Sequence, residues 1–275
     1  MTERTDRVNW STLKAIGISP KHYLHLIKNP REDTDALRLG RVVHCLVFER
    51  DEFNARYIIE PRFNRAMNDD TALTRGYDGG KQAAAAWDER RDGREVVKGD
   101  VYREAYAIAA SVVADPISGP IVLSGWSERK IEWEMNGIQC RGRVDHVNGC
   151  LADLKTTRSL LTFERDVARY GYHAQLAWYA DGLEAAGYPI EGDPCLIAVE
   201  SVPPYDVLVL TFTEEDLAAG RRVYRSALER LAACRASGLW PGISGGSSRR
   251  VVLPAWANKP EEIELTMDGE PLATT

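Results

Sequence analysis

One stretch of the sequence concentrates groups that could do chemistry together: Gly142-Arg-Val-Asp145-His-Val-Asn-Gly-Cys-Leu-Ala-Asp153-Leu-Lys155-Thr-Thr157. Asp153 and Lys155 stand two apart, so on a strand their side chains share one face. If Asp145 joins that face, two carboxylates and an ammonium converge. Like charges do not converge without compensation, and a divalent cation is the usual means. Oxygen ligands with room for water and phosphate suit Mg²⁺, with Mn²⁺ as the alternative. A neighbouring lysine can stabilise a hydroxide nucleophile or the charge developing on a phosphorane. An Asp-x-Lys pair on a strand can equally be a solvated face. The flanking Val144, Leu151 and Leu154 favour burial, but spacing alone leaves both readings open.

A hairpin must position these groups. Arg129 to Met135 and Ile138 to Val147 have strand character, split by Asn136-Gly137, and Cys150 to Thr156 follows Asn148-Gly149. Asn-Gly between alternating segments marks a tight turn, so three consecutive antiparallel strands are expected. Strand parity then constrains the second turn. A two-residue turn at Asn148-Gly149 would put Asp145 and Asp153 on opposite faces. An odd loop or a bulge is required. A three-residue loop with Gly149 left-handed, setting His146 opposite Cys150 and Asp145 opposite Leu151, is the expectation. Helical spacing is read over Ser11 to Lys28 (interrupted at Gly17 and Pro20), Leu37 to Glu49, Lys81 to Arg91, Asp100 to Ala114, Leu161 to Tyr170, Tyr172 to Ala186 and Thr213 to Ala236. A further strand pair flanks Pro203-Pro204. The pattern implies an α+β (mixed α/β) fold with a central, mostly antiparallel sheet flanked by helices.

The ordered motifs resemble those of a known group. Gly142-Arg-Val-Asp145 followed by Asp153-Leu-Lys155-Thr-Thr157 resembles the core motif of the PD-(D/E)XK nuclease superfamily. Gly40-x-x-x-His44 and Gln175-x-x-x-Tyr179 resemble the additional motifs of its RecB-like branch. The likeness is closest to the RecE-type exonucleases (exodeoxyribonuclease VIII) of phage and prophage recombination. It runs from Trp10-Ser-Thr-Leu-Lys14 and Ser19-Pro20 through Tyr170-Gly-Tyr-His-Ala-Gln175 to Gly238-Leu-Trp240-Pro241. The resemblance implies a restriction-endonuclease-like nuclease core. It makes His44, Asp145 and Asp153 metal ligands together with the Leu154 carbonyl, and Lys155 the catalytic lysine. Glu128 becomes an accessory acid. Gln175 and Tyr179, four apart and so on one helix face, would orient the lysine or a phosphate. Without the resemblance, His44 reads as a core histidine, Gln175 and Tyr179 as a helix flank, and Glu128 as solvated charge beside Arg129 and Lys130.

The resemblance further implies a Mg²⁺-dependent exonuclease acting 5′ to 3′ at double-stranded DNA ends, serving recombination by single-strand annealing. An annealing protein as partner and a ring-like homo-oligomer are implied with it. Two other readings stand beside this one. The first is an endonuclease or single-strand nuclease of the same superfamily. The second is a catalytically silent DNA-end binder or annealing partner, against which the intact Asp145, Asp153 and Lys155 speak.

Composition sets outer bounds. Hydrophobic residues make up 44% and charged residues 28% of 275, which is ordinary globular composition with enough chain for a sizeable core. No apolar run approaches the roughly 18–20 residues of a membrane helix, and Met1 to Asn9 is polar, so a cytoplasmic protein is expected. The five cysteines form no C-x-x-C pair, which argues against a disulfide framework, structural zinc or an iron–sulfur cluster. No Gly-x-x-x-x-Gly-Lys-Ser/Thr motif occurs, so no bound nucleotide is expected.

The net charge of -6 hides an uneven distribution: seven arginines and one acid lie between Arg221 and Arg250, and acids dominate beyond. Arg221, Arg222, Arg225, Arg249 and Arg250 are candidates for DNA phosphate contacts. So are Arg62, Arg65 and Arg75 in the polar stretch 61–80, read as a long mobile loop. One nuclease domain over 1–257 and an acidic, flexible tail over 258–275 complete the expectation.

Overall fold

The computed structural model describes residues 7–30, 32–60, 78–248, 250–254 and 257, with the backbone of 266–267 and 270–271. Arg62, Arg65, Arg75 and Arg249 lie outside the described residues, as does most of the expected loop; its last residues, from Asp78, are helical. Of the expected tail, two short antiparallel pieces, Thr266–Met267 and Glu270–Pro271, are described.

The N-terminal half is helical: α1 (Trp10–Leu13), α2 (Pro20–Lys28), α3 (Asp35–Phe48) and α4 (Phe53–Arg56) lead to β1 (Tyr57–Ile59). Then come α5 (Asp78–Arg91), β2 (Glu95–Val97), α6 (Gly99–Ala114) and α7 (Ser118–Val122). Three long strands follow, β3 (Trp126–Met135), β4 (Ile138–Asn148) and β5 (Cys150–Thr157), then α8 (Phe163–Tyr170) and α9 (Tyr172–Ala185). The chain closes with β6 (Cys195–Glu200), β7 (Val207–Thr211) and α10 (Glu214–Ser237). The main sheet has the order β3-β4-β5-β6-β7 and is antiparallel except for β5–β6. A short parallel pair, β1–β2, was not anticipated in its second strand, where three residues are too few to show a period.

Each sheet face is covered. On one side α1, α2, α9 and α10 enclose Leu13, Val144, Leu151, Trp178 and Tyr224. On the other, α3 and α6 enclose Val42, Val43, Ile108, Val112, Leu154 and Ile197. Strand β6 is buried from Cys195 to Val199 without alternation, as expected of a strand covered on both faces. Thr34 caps α3 by accepting from the Leu37 N–H, and a Thr213–Asp216 capping box starts α10. Helices α9 and α10 approach so closely that a Cβ on Gly220 would sit 2.4 Å from the His173 carbonyl oxygen. Only glycine allows that approach.

The hairpin register corrects one expectation. Asn148 pairs with Cys150, Val147 with Leu151 and His146 with Ala152, so the chain reverses on Gly149 alone, at φ 71°. The expected loop was two residues longer, with His146 opposite Cys150. A shift of two preserves the face of every side chain, whereas a shift of one would have reversed it. The β4–β5 ladder stops short of Asp145, whose Oδ2 accepts from the Leu154 N–H at 3.0 Å. The β3–β4 ladder likewise skips Glu128 and Asp145 between Ser127↔His146 and Arg129↔Val144, and Glu128 has φ 54°. Side-chain alternation slips there: Val144 and Val147, three apart, enter the same core. Both acids therefore sit at a local break in the sheet.

Candidate active site

The break at Glu128 and Asp145 faces α3, and His44 projects from that helix onto it. Its Nδ1 lies 3.5 Å from Asp145 Oδ2 and 3.7 Å from Glu128 Oε1. Its Nε2 lies 3.0 Å from the Leu154 carbonyl oxygen. That oxygen can only accept, so Nε2 carries hydrogen and Nδ1 points its bonding position at the two carboxylates. One ligand atom from each of His44, Glu128 and Asp145 lies within 4.8 Å of the others. Gly40 lies one turn before His44, where α3 runs beside β5: a Cβ there would make ordinary contact with Thr156 Oγ1 at 3.7 Å.

This differs from the ligand set implied by resemblance. Glu128, expected as an accessory acid, stands among the candidate ligands. Asp153 stands beside them: its Oδ1 accepts from Gln175 Nε2 at 3.1 Å and its Oδ2 pairs with Lys155 Nζ. Both of its oxygens are engaged, and it is not one of the three clustered residues. The Leu154 carbonyl is engaged by His44, so it holds the imidazole in place.

The electrostatics show what the cluster lacks. Asp153 is fully buried, and burial pushes its carboxyl up to about 6, opposed by Lys155 and assisted by Asp145. Burial works against the Lys155 ammonium, but Asp153 and Asp145 outweigh it and raise its pKa. His44 follows the same pattern: burial lowers its pKa, and Asp145 and Glu128 more than reverse that. All three shifts express one imbalance. Glu128 pairs with Arg143, whose Nε meets Oε2, and Asp153 with Lys155; Asp145 has His44 beside it and otherwise only the more distant field of Lys155. A mixed nitrogen and oxygen donor set with excess negative charge fits a divalent cation such as Mg²⁺ or Mn²⁺.

Gln175 and Tyr179 lie together on α9 as their spacing requires. The Gln175 amide donates to both Asp153 Oδ1 and the Tyr179 hydroxyl, at 3.1 and 3.2 Å. Burial, with the charges of Asp153 and Asp145, raises the Tyr179 pKa, so the phenol keeps its proton and can donate. Tyr172 also borders the site, its ring 5.2 Å from Lys155 Nζ.

Two clefts open on this centre. One, of roughly 570 Å³, is lined by His44, Glu128, Asp145, Lys155 and Tyr172. The other, of roughly 480 Å³, is lined by Gln175, Tyr179 and Gly142, and Arg143 borders both. Sequence reasoning missed Arg143, although it lies inside the Gly142-Arg-Val-Asp145 motif. It also missed Glu49, which pairs with Arg56 and lies 3.3 Å from Arg143. No local pattern links a helix-terminal glutamate to a strand arginine.

The arginines of α10 are elsewhere. Arg221 pairs with Asp181 at 2.8 Å and with Glu214, and Arg225 lies 3.7 Å from Asp181. Arg222 and Arg250 are exposed, and none of the four lines either cleft.

Comparison with known proteins bears on the family and the fold. Residues 9–248 match the family model described as a PDDEXK-like domain of unknown function (DUF3799). The chain belongs to this family. A crystal structure of a "Putative exonuclease" from Eubacterium rectale superposes with a TM-score of 0.59 at 12% identity, covering 95% of this chain and 98% of that one. At that identity the likeness establishes the fold. The structure of SSO0001 covers 80% of this chain and 84% of its own, also at 12% identity, with a TM-score of 0.29, too low to bear on the argument. No curated protein matches the sequence. Among the described residues, no helix is long and apolar enough to cross a membrane.

Proposed function

We propose that this protein is a divalent-cation-dependent exodeoxyribonuclease that hydrolyses phosphodiester bonds at the ends of double-stranded DNA. The observation that carries the reading is the juxtaposition of His44, Glu128 and Asp145 with the buried Asp153–Lys155 pair. When bound there, Mg²⁺ or Mn²⁺ would supply Lewis-acid polarisation of the phosphodiester and favour ionisation of an attacking water. The residues themselves do the rest. His44 is oriented by Leu154, and Asp145 is fixed by the Leu154 N–H. Lys155 keeps its proton and presents a positive charge to the non-bridging oxygens as negative charge develops on them. Gln175 holds Asp153 in place, and the Tyr179 hydroxyl remains a donor toward the cleft. The RecE-like motif order supports 5′ to 3′ polarity and a role in recombination by single-strand annealing, with an annealing protein as partner and a homo-oligomeric assembly.

The test is digestion of end-labelled linear duplex beside a covalently closed circle in Mg²⁺. Loss of the linear species with an intact circle is expected, and EDTA should stop it. Cleavage of both would make the protein an endonuclease, and cleavage of neither would remove the reading.

A further inference from the structure

The two clefts differ in how their positive charges are matched. In the cleft beside His44, every arginine already has carboxylate partners: Arg41 with Asp33 and Glu95, Arg56 with Glu49, Arg143 with Glu128 and Glu49. In the cleft beside Gln175 and Tyr179 the balance is different. Lys130 and Arg141 line it, with one acid, Glu132. Glu132 faces Arg141 in the β3–β4 register, but its carboxylate reaches Arg7, 3.3 Å away. Lys130 stands directly opposite Arg143, whose own charge is taken up by Glu128 and Glu49, so Lys130 has no carboxylate of its own there. Among the described residues, neither Lys130 nor Arg141 makes an ion pair. Glycine at 142 lets the Tyr179 ring pack close against β4, since a Cβ there would meet it at 2.9 Å.

We infer that this second cleft binds the phosphate backbone of the DNA strand on one side of the scissile bond, with Lys130 and Arg141 as the phosphate-contacting residues. The inference rests on the nuclease reading for its ligand, but its evidence is independent of His44, Glu128 and Asp153. Arg143, shared by both clefts, links the backbone site to the centre through Glu128. The α10 arginines, engaged with Asp181 and Glu214, are not needed for it.

Binding of a fluorescein-labelled linear duplex in Ca²⁺, titrated across salt concentration, tests this. Replacing both residues (Lys130→Ala with Arg141→Ala) should weaken binding and reduce the slope of log affinity against log salt by about 1.8, two phosphate contacts at about 0.9 each. Arg222→Ala, an exposed α10 residue, should leave the slope unchanged. A slope unaltered in the double variant overturns the inference, as does an equal fall per charge in Arg222→Ala, which would reveal a diffuse charge effect. Thermal unfolding of the double variant at the wild-type midpoint excludes misfolding. If wild-type protein cleaves DNA while the slope stays unchanged, the cleft assignment falls and the nuclease reading stands. If no cleavage occurs yet the slope falls, the reverse holds.

Discussion

Among the described residues, Lys155 is the one ammonium paired with the fully buried Asp153, so replacing it isolates the energetics of the centre. Lys155→Met keeps the length of the side chain and removes its charge. Taking one partner from a buried pair costs about 3–5 kcal/mol, because the remaining charge is left uncompensated. Protonation caps that cost. Holding Asp153 neutral at pH 7.5, against an unfolded carboxyl near 3.8, costs at most about 5 kcal/mol. At pH 5 the same bound falls to about 2 kcal/mol. The sign follows from the raised native pKa of Asp153: its contribution is fully present below about 3.8 and is lost as pH rises from there through the native value of about 6. Urea unfolding in EDTA should therefore show Lys155→Met destabilised by about 3 kcal/mol at pH 7.5 and recovering toward pH 5. The double variant Asp153→Asn with Lys155→Met removes both charges, and the asparagine oxygen can still accept from Gln175. It should lie within about 1 kcal/mol of wild type. A pH-independent loss, or a double variant as damaged as the sum of its parts, would refute the argument.

Other expectations follow from single contacts. Gln175→Leu removes the donor that orients Asp153 and should lower cleavage or cation affinity about 10–100-fold with an unchanged circular dichroism spectrum. Gly149→Ala places a side chain at φ 71° with nothing within 4 Å; the cost should be about 1–2 kcal/mol in denaturant, and Gly149→Asn should recover most of it. Gly220→Ala meets the His173 carbonyl rather than open space, so it should cost more than Gly149→Ala, about 2–3 kcal/mol by the same assay.

Much of this fold is legible in the chain because its long elements keep a strict period. Helix α10 begins at a Thr-x-x-Asp box and buries Leu217, Tyr224, Leu228 and Leu231 at helical spacing. The Asn-Gly turns announced β3, β4 and β5 in order. What could not be read is how the strands break where the site forms. The Gly149 turn is shorter than parity alone demanded. The slip at Glu128 and Asp145 arises from a side chain, Asp145, taking the Leu154 N–H that a regular ladder would pair. The partition of ligands follows from that slip: it turns Glu128 toward His44, while Asp153 stays with Lys155 on the regular part of β5. Motif spacing singled out these residues but could not say which carboxylates share a point. The matching of Arg143 with Glu49, 94 residues apart in sequence, is likewise a product of packing.

The measurement that bears most directly on the account is single-turnover cleavage of linear duplex by wild type and Asp145→Asn, with Mn²⁺ binding followed calorimetrically on the same samples. Asp145 is the carboxylate in the cluster without a full counter-charge, so its neutralisation should weaken Mn²⁺ binding and abolish cleavage together. If Asp145→Asn binds Mn²⁺ and cuts DNA as wild type does, the cluster of His44, Glu128 and Asp145 is not the catalytic centre.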